Sequence, residues 1–192
     1  MIEVYLTLLI FILFMVATPG PANLLLMVGG AQQGVTACMG FIIGLICGKV
    51  FLNLMIGLGF GLFLTDQPLL ANGLKFVSAG YMIWLALQSW NDNIVVSGWN
   101  HFGFRRGVIL HPLNPKAWIM VTIAWSQFAP ALGAFEIQLV VVTGGFAITQ
   151  LFFHTIWCLS GAMLQRALPR KRLVTRSMIL ITVAVIIWAL LF

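Results

Sequence analysis

The stretch TPGPANLLLM, Thr18 to Met27, interrupts an apolar run that begins almost at the first residue. Pro19, Gly20 and Pro21 stand side by side within it. A proline lacks a backbone N–H and clashes with the preceding turn, at a cost of roughly 3 kcal/mol in a helix interior. The chain therefore breaks a helix in its most hydrophobic part, and the setting has to explain why.

Composition supplies the setting. Of the 192 residues, 61% are hydrophobic and 7% charged, and the mean hydropathy is +1.07. Ordinary soluble domains carry about 25% charged residues, so this chain cannot cover a water-facing surface. It reads as an all-α, polytopic membrane protein. The net charge of +6 does not point to nucleic acid, because most basic residues lie beside apolar segments, where they set topology and meet lipid headgroups. The opening MIEVYLTLLIFILF has no Lys or Arg ahead of its apolar run and outlasts a signal core of roughly 7–15 residues. It reads as a retained span. Cys38, Cys47 and Cys158 lie in apolar segments without metal-like spacing and read as buried small hydrophobes.

Apolar stretches separated by polar breaks give six spans, at about 4–28, 36–63, 70–89, 106–127, 137–162 and 176–192. The longest connection is NDNIVVSGWNHFGFRR, so residues 1–192 form a single membrane domain. Arg105 and Arg106 follow span three, and Arg166, Arg170, Lys171, Arg172 and Arg176 lie between spans five and six. GGAQQG, between spans one and two, shares their side. Glu3, Asp66, Glu136 and Lys75 mark the other. Positive loops face the cytoplasm, which places both termini outside.

GFIIGL at 40–45 resembles GFAITQL at 145–151, and YMIWLAL at 81–87 resembles VIIWALL at 185–191, at offsets of 105 and 104 residues. GPANLLLM at 20–27 echoes NPKAWIM at 114–120. Three matches in the same order suggest two halves, about 1–92 and 100–192, of three spans each. An odd number of spans inverts the second half, an architecture of many secondary transporters. Breaks then fall at corresponding places, Pro19–Pro21 in span one and Pro112–Pro115 in span four. Broken backbone in a bilayer is tolerated where protein or a water-filled cavity satisfies it, and paired breaks point to a substrate site. Pro19, Gly20, Pro21, Asn23, Asn114, Pro115 and Lys116 are its candidate residues.

TPGPANLLL, GFIIGLICG, AGYMIWLAL and LNPKAW together resemble the lysine exporter (LysE) superfamily of bacterial amino-acid exporters, including its threonine/homoserine, leucine and cysteine/O-acetylserine branches. The resemblance covers nearly the whole chain. It implies a six-span exporter in the cytoplasmic (inner) membrane, driven by the proton-motive force, with Pro19, Gly20, Pro21 and Asn23 in its first motif and Asn114, Pro115 and Lys116 in its second. Many members carry an Asp after the glycine series of span two where this chain has Lys49, so a cationic substrate would meet a cation there.

A charge at the centre of a membrane helix costs at least about 2.5–3.5 kcal/mol, so intramembrane polar residues stand out. Lys49 and Asn53 share one face of span two, and Gln150, His154 and Cys158 form a stripe on span five. Adding 105 to 49 gives 154, so Lys49 and His154 are equivalent positions in the two halves. We assign them the substrate carboxylate and the coupling proton, with Asn53 and Gln150 as further substrate contacts. Gly40, Gly44 and Gly48 recur every four residues and allow close helix approach. The seven tryptophans and Tyr81 read mainly as an interfacial belt.

The competing reading is a membrane enzyme or a non-transporting assembly subunit. The four carboxylates lie near span ends, and neither a His/Cys metal cluster nor a phosphate-binding glycine loop is present. The sequence thus reads as a secondary exporter of a small amino acid or derivative, working by alternating access. Its expected partners are that substrate, protons and membrane lipids, with no nucleic acid and no cofactor; a homo-oligomer is compatible with this reading. Single-cysteine labelling in a cysteine-free background checks the topology. An impermeant reagent applied to intact cells should spare positions 105 and 171 and label position 192, and labelling of both loops would overturn the assignment.

Overall fold

A computed structural model describes residues 2–59, 68–90, 102–168 and 171–191. Among these the chain is mostly helical. We name the helices α1 (Ile2–Ala17), α2 (Pro21–Gly57), α3 (Pro68–Gln88), α4 (Phe104–Leu113), α5 (Pro115–Ile123), α6 (Phe135–Ala167) and α7 (Lys171–Leu191). A π turn, Ala124–Phe128, and a 3-10 turn, Ala129–Leu132, prolong α5. Of the described residues, α2, α6 and Arg172–Leu191 of α7 are each long and apolar enough to cross a membrane, and α1 is a shorter apolar helix. Asp66, Arg170, Phe192 and the larger part of the 91–106 connection, on which part of the topology reading rests, lie outside the described residues.

Both breaks are present, and proline chemistry makes them. A residue before proline is pushed out of the helical region. Gly20, before Pro21, is extended (φ −166°, ψ 170°), and so is Asn114, before Pro115 (φ −87°, ψ 113°). Pro21 and Pro115 then open α2 and α5, at the helix start where a missing N–H costs nothing. The Asn114 side chain caps α5 by accepting from the Lys116 N–H at 3.1 Å.

The neutral GGAQQG connection is not a loop. At 1.5 Å per residue α2 would be a rod of about 55 Å, against a hydrocarbon layer of about 30 Å. It reverses instead at one residue, Gly34 (φ 78°, ψ 169°), a conformation essentially reserved for glycine. The reversal brings Gly29 back against Cys38: a side-chain carbon on Gly29 would meet the Cys38 sulfur at 3.0 Å and the Phe102 ring at 2.9 Å. α2 is thus a helical hairpin with limbs 21–33 and 35–57. Gly29 and Gly30 serve contact rather than turn formation. The other spans also overrun their apolar stretches, α6 continuing to Ala167 and α7 starting at Lys171.

Two backbone-to-backbone seams organise the bundle. In the first, a Cβ on Gly30 would run into the Cys158 carbonyl and one on Gly161 into the Met27 carbonyl. In the second, Gly44 and Gly48 lie against the carbonyls of Phe104 and Val108, and Gly107 against that of Phe41. Gly40 makes only an ordinary contact, 3.6 Å from the Phe104 nitrogen. The first limb of α2 is thereby fixed to α6 and the second to α4. At one end of the bundle Gln33 donates to the Phe102 carbonyl, Arg106 donates to Gln88 Oε1 at 2.8 Å, and the Arg176 guanidinium lies 5.2 Å from the Trp90 ring. The Gly34 turn and the starts of α4 and α7 therefore share one side, as the sequence requires. Among the cysteines, Cys38 and Cys158 are buried, whereas Cys47 is exposed on the outer surface of the bundle and is not a core residue.

Gly161→Leu and Gly107→Leu should each destabilise by at least about 1–3 kcal/mol through overpacking. Gly144→Leu, where an added side chain meets nothing within 4 Å, should change little. Thermal unfolding in detergent distinguishes the three variants.

Candidate functional site

The first break removes helix donors from a run of carbonyls, and each receives a substitute. Pro19 cannot donate to the Met15 carbonyl, which instead accepts from the Thr18 hydroxyl at 3.1 Å. Pro21 cannot donate to the Ala17 carbonyl, which accepts from the Trp157 indole N–H at 3.2 Å. The Asn23 amide donates to the carbonyls of Val16 and Thr18, both at 2.9 Å. The Lys116 ammonium donates to the Thr18 carbonyl (2.9 Å), the Thr18 hydroxyl oxygen (2.8 Å) and the Pro19 carbonyl (3.4 Å). At the second break the Lys116 N–H is taken by Asn114, and the Pro112 carbonyl accepts from the Trp118 indole at 2.7 Å. Trp118, Trp125 and Trp157 are thus donors within the bundle, not members of an interfacial belt; Trp125 donates to Asn53 Oδ1 at 3.1 Å.

The two breaks meet at one cavity. Gly20, Asn23, Asn114, Lys116, Gln150 and His154 all line it, as does His111. Its volume is about 20 Å³, room for roughly one water molecule. In this conformation the site is too small for an amino acid. The first turns of α2 and α5 both border it through Ala22, Asn23 and Lys116, so two helix N-termini, each carrying partial positive charge, converge there.

Part of the lining is a buried polar cluster. Gln150 Nε2 stands 3.0 Å from His111 Nε2, and the His111 and His154 rings are 5.6 Å apart. As oriented, the Gln150 amide donates and His111 Nε2 accepts. Gln150 Oε1 and the Nδ1 atoms of both imidazoles are buried without a hydrogen-bond partner. Native structures satisfy nearly all such atoms, so three in one cluster mark a place built for something else. Lys49 is 1% exposed; its ammonium lies 3.4 Å from the Ala117 carbonyl and 4.6 Å from the centre of the Phe146 ring, whose face attracts a cation. Glu3 and Glu136 sit in the first turns of α1 and α6, so neither lysine meets a carboxylate among the described residues.

Gly20, Asn23, Asn114, Lys116, Gln150 and His154 of the sequence-derived candidates are therefore brought together at the cavity, whereas Pro19, Pro21, Lys49, Asn53 and Pro115 are not among its lining residues. Pro19 and Pro21 shape the first break and Pro115 the second. Asn53 is placed differently, with its amide donating to the Lys49 carbonyl at 2.9 Å and its oxygen accepting from Trp125, away from the cavity lining. His111 was missed by sequence reasoning. Its signal is a buried imidazole one residue before Pro112 in the broken span.

Two interrupted helices bordering one polar cavity define the architecture of a polytopic helical membrane protein. The chain belongs to the LysE type translocator family, whose model matches residues 13–192. It is 25% identical over 134 residues to an "uncharacterized membrane protein" of Vibrio cholerae, covering 66% of this chain and 65% of that one. It is 28% identical over 129 residues to an "uncharacterized membrane protein" of Pseudomonas aeruginosa, covering 61% and 60%. A homoserine/homoserine lactone efflux protein of Salmonella typhimurium is 25% identical over 118 residues, covering 58% and 57%. In each case the match spans less than two thirds of the relative's length. No solved structure matches the chain.

Because an orphaned buried carbonyl costs about 1–3 kcal/mol, Trp157→Phe and Trp118→Phe should each lower stability by that amount while keeping the aromatic volume. Unchanged thermal unfolding of both variants would show that the indole N–H groups do not support the breaks.

Proposed function

We propose that the protein exports a small amino acid or amino-acid derivative from the bacterial cytoplasm across the inner membrane, driven by the proton gradient. The observation that carries this reading is the convergence of both helix breaks on one small cavity backed by buried basic side chains. Two helix N-termini suit a substrate carboxylate, and Lys49 and His154 serve that carboxylate and the coupling proton. Membership in a translocator family and the name of the Salmonella relative support the export of an amino-acid-like molecule.

In this reading the chain crosses the membrane six times as two inverted halves. The packing supports it, because span one joins span five through Gly30 and Gly161, and span four joins span two through Gly107 and Gly44. These are the reciprocal pairs that an exchange of halves demands. A cavity of about 20 Å³ cannot admit an amino acid, so transport requires opening to one side at a time.

Counterflow of amino acids in proteoliposomes with an imposed pH gradient tests the proposal. Lys49→Gln and His154→Gln should each cut gradient-driven transport by roughly tenfold or more, the equivalent of a charged contact of about 1.5–3 kcal/mol. Wild-type rates and gradient dependence in both variants would make the pair structural.

A further inference from the structure

The Lys116 ammonium has three N–H donors, and Thr18 O, Thr18 Oγ1 and Pro19 O provide three acceptors for it at 2.8–3.4 Å. This is a complete ammonium shell, and none of it comes from the segment that carries Lys116. The acceptors lie 98 and 97 residues away along the chain, in the other broken span. Gly20 leaves the space in which the arm lies, since a Cβ there would meet Lys116 Cδ at 3.0 Å and Nζ at 3.3 Å.

The carbonyls of the break differ in what covers them. Val16 and Ala17 are served by Asn23 and Trp157, short or rigid side chains packed in the bundle. Pro19 O is served by the flexible four-carbon stem of Lys116, and Thr18 O by that stem together with Asn23. Lys116 is only partly buried, and Thr18 and Pro19 are exposed, so a group from outside can reach the acceptors once the arm withdraws. An amino acid also brings an ammonium that needs acceptors. Among the described residues the cavity offers one lysine, two imidazoles and carboxamides, while Glu3 and Glu136 stand in the first turns of α1 and α6. Gln150 Oε1 is a single acceptor there, whereas the oxygens of the break already form a complete shell for an ammonium.

We propose that Thr18 and Pro19 form the subsite for the substrate's ammonium group, and that the Lys116 side chain fills it until substrate displaces the arm. The inference rests on the exporter reading and narrows it to molecules with a free primary ammonium, as opposed to N-acylated ones. A tethered group competes at a high effective concentration, so the arm keeps the empty site closed and raises the substrate level needed to open it.

Chemical rescue tests this without reference to transport. Purified Lys116→Ala protein in detergent should melt below wild type. Ethylammonium chloride should restore its melting temperature saturably, whereas tetramethylammonium chloride, which has no N–H, should not. Wild type should respond to neither. The added substitution Thr18→Val should weaken the rescue relative to Lys116→Ala alone. If Lys116→Ala does not fold, Lys116→Met retains the stem, and ammonium chloride becomes the probe. No response to the primary ammonium, or an equal response to tetramethylammonium, overturns the subsite. In proteoliposomes, free amino acids should give counterflow and their N-acetyl derivatives should not; equal counterflow by both also overturns it. Intact rescue without counterflow of any amino acid retains the ammonium subsite and removes the exporter reading alone.

Discussion

The structure depends on one constraint: a carbonyl released from a helix inside a membrane must find another donor. Left unsatisfied in hydrocarbon, each such group costs several kcal/mol. Pro19 and Pro21 release a run of carbonyls in the span that begins the chain, and the chain answers with Thr18, Asn23, Trp157 and Lys116. Two of these come from elsewhere in the sequence, Trp157 from α6 and Lys116 from α5. The break is therefore stable only when α5 and α6 are docked beside it. Local strain at the break and the global packing of the bundle are parts of one arrangement.

The second break is built differently. Asn114 and Trp118 satisfy its backbone from within the same span. One interruption is thus self-contained while the other borrows its donors across the cavity. The borrowed donors are the ones a conformational change can remove, and Lys116, on a flexible four-carbon stem, is easier to move than the rigid Trp157 indole. The buried trio of His111, Gln150 and His154 on the cavity's inner side retains unmatched polar atoms, so both sides of the cavity carry groups that a polar ligand would complete.

How much of this the sequence discloses follows from the range of each interaction. The breaks were legible because proline acts on its own residue and its immediate neighbours. Lys49, Gln150 and His154 were legible because polar groups are costly in apolar spans whatever surrounds them. GGAQQG was read correctly as the place of the reversal, which falls on its last residue, Gly34, but not in its extent, because Gly29 and Gly30 stay helical for the approach of Cys38, Phe102 and Cys158. Asn53 was misplaced for a related reason: helical periodicity set it beside Lys49, but the Trp125 partner that occupies it belongs to another span. The roles of His111, Trp118 and Trp157 depend on contacts between distant segments and leave little trace in local pattern. A span rich in tryptophan reads the same whether the rings meet lipid headgroups or backbone carbonyls.

The seams constrain how the small cavity can open. Where backbone lies against backbone, at Gly30 with Gly161 and Gly44 with Gly107, there is no layer of side chains to repack, and sliding would force atoms into overlap. Interiors packed this closely move as units. In the proposed transport cycle the first limb of α2 would therefore travel with α6, and the second limb with α4. Along the chain Gly34 links the two units, and two further non-helical stretches, Thr18–Gly20 ahead of the first limb and Asn114 beyond α4, link them to α1 and α5. These are the positions able to absorb changes in backbone angle, as hinges do. Two of the three border the cavity, so its opening and the rearrangement of its lining are the same motion. A ligand that exchanges hydrogen bonds with Thr18 and Pro19 acts directly on a hinge, and so couples occupancy of the cavity to its shape.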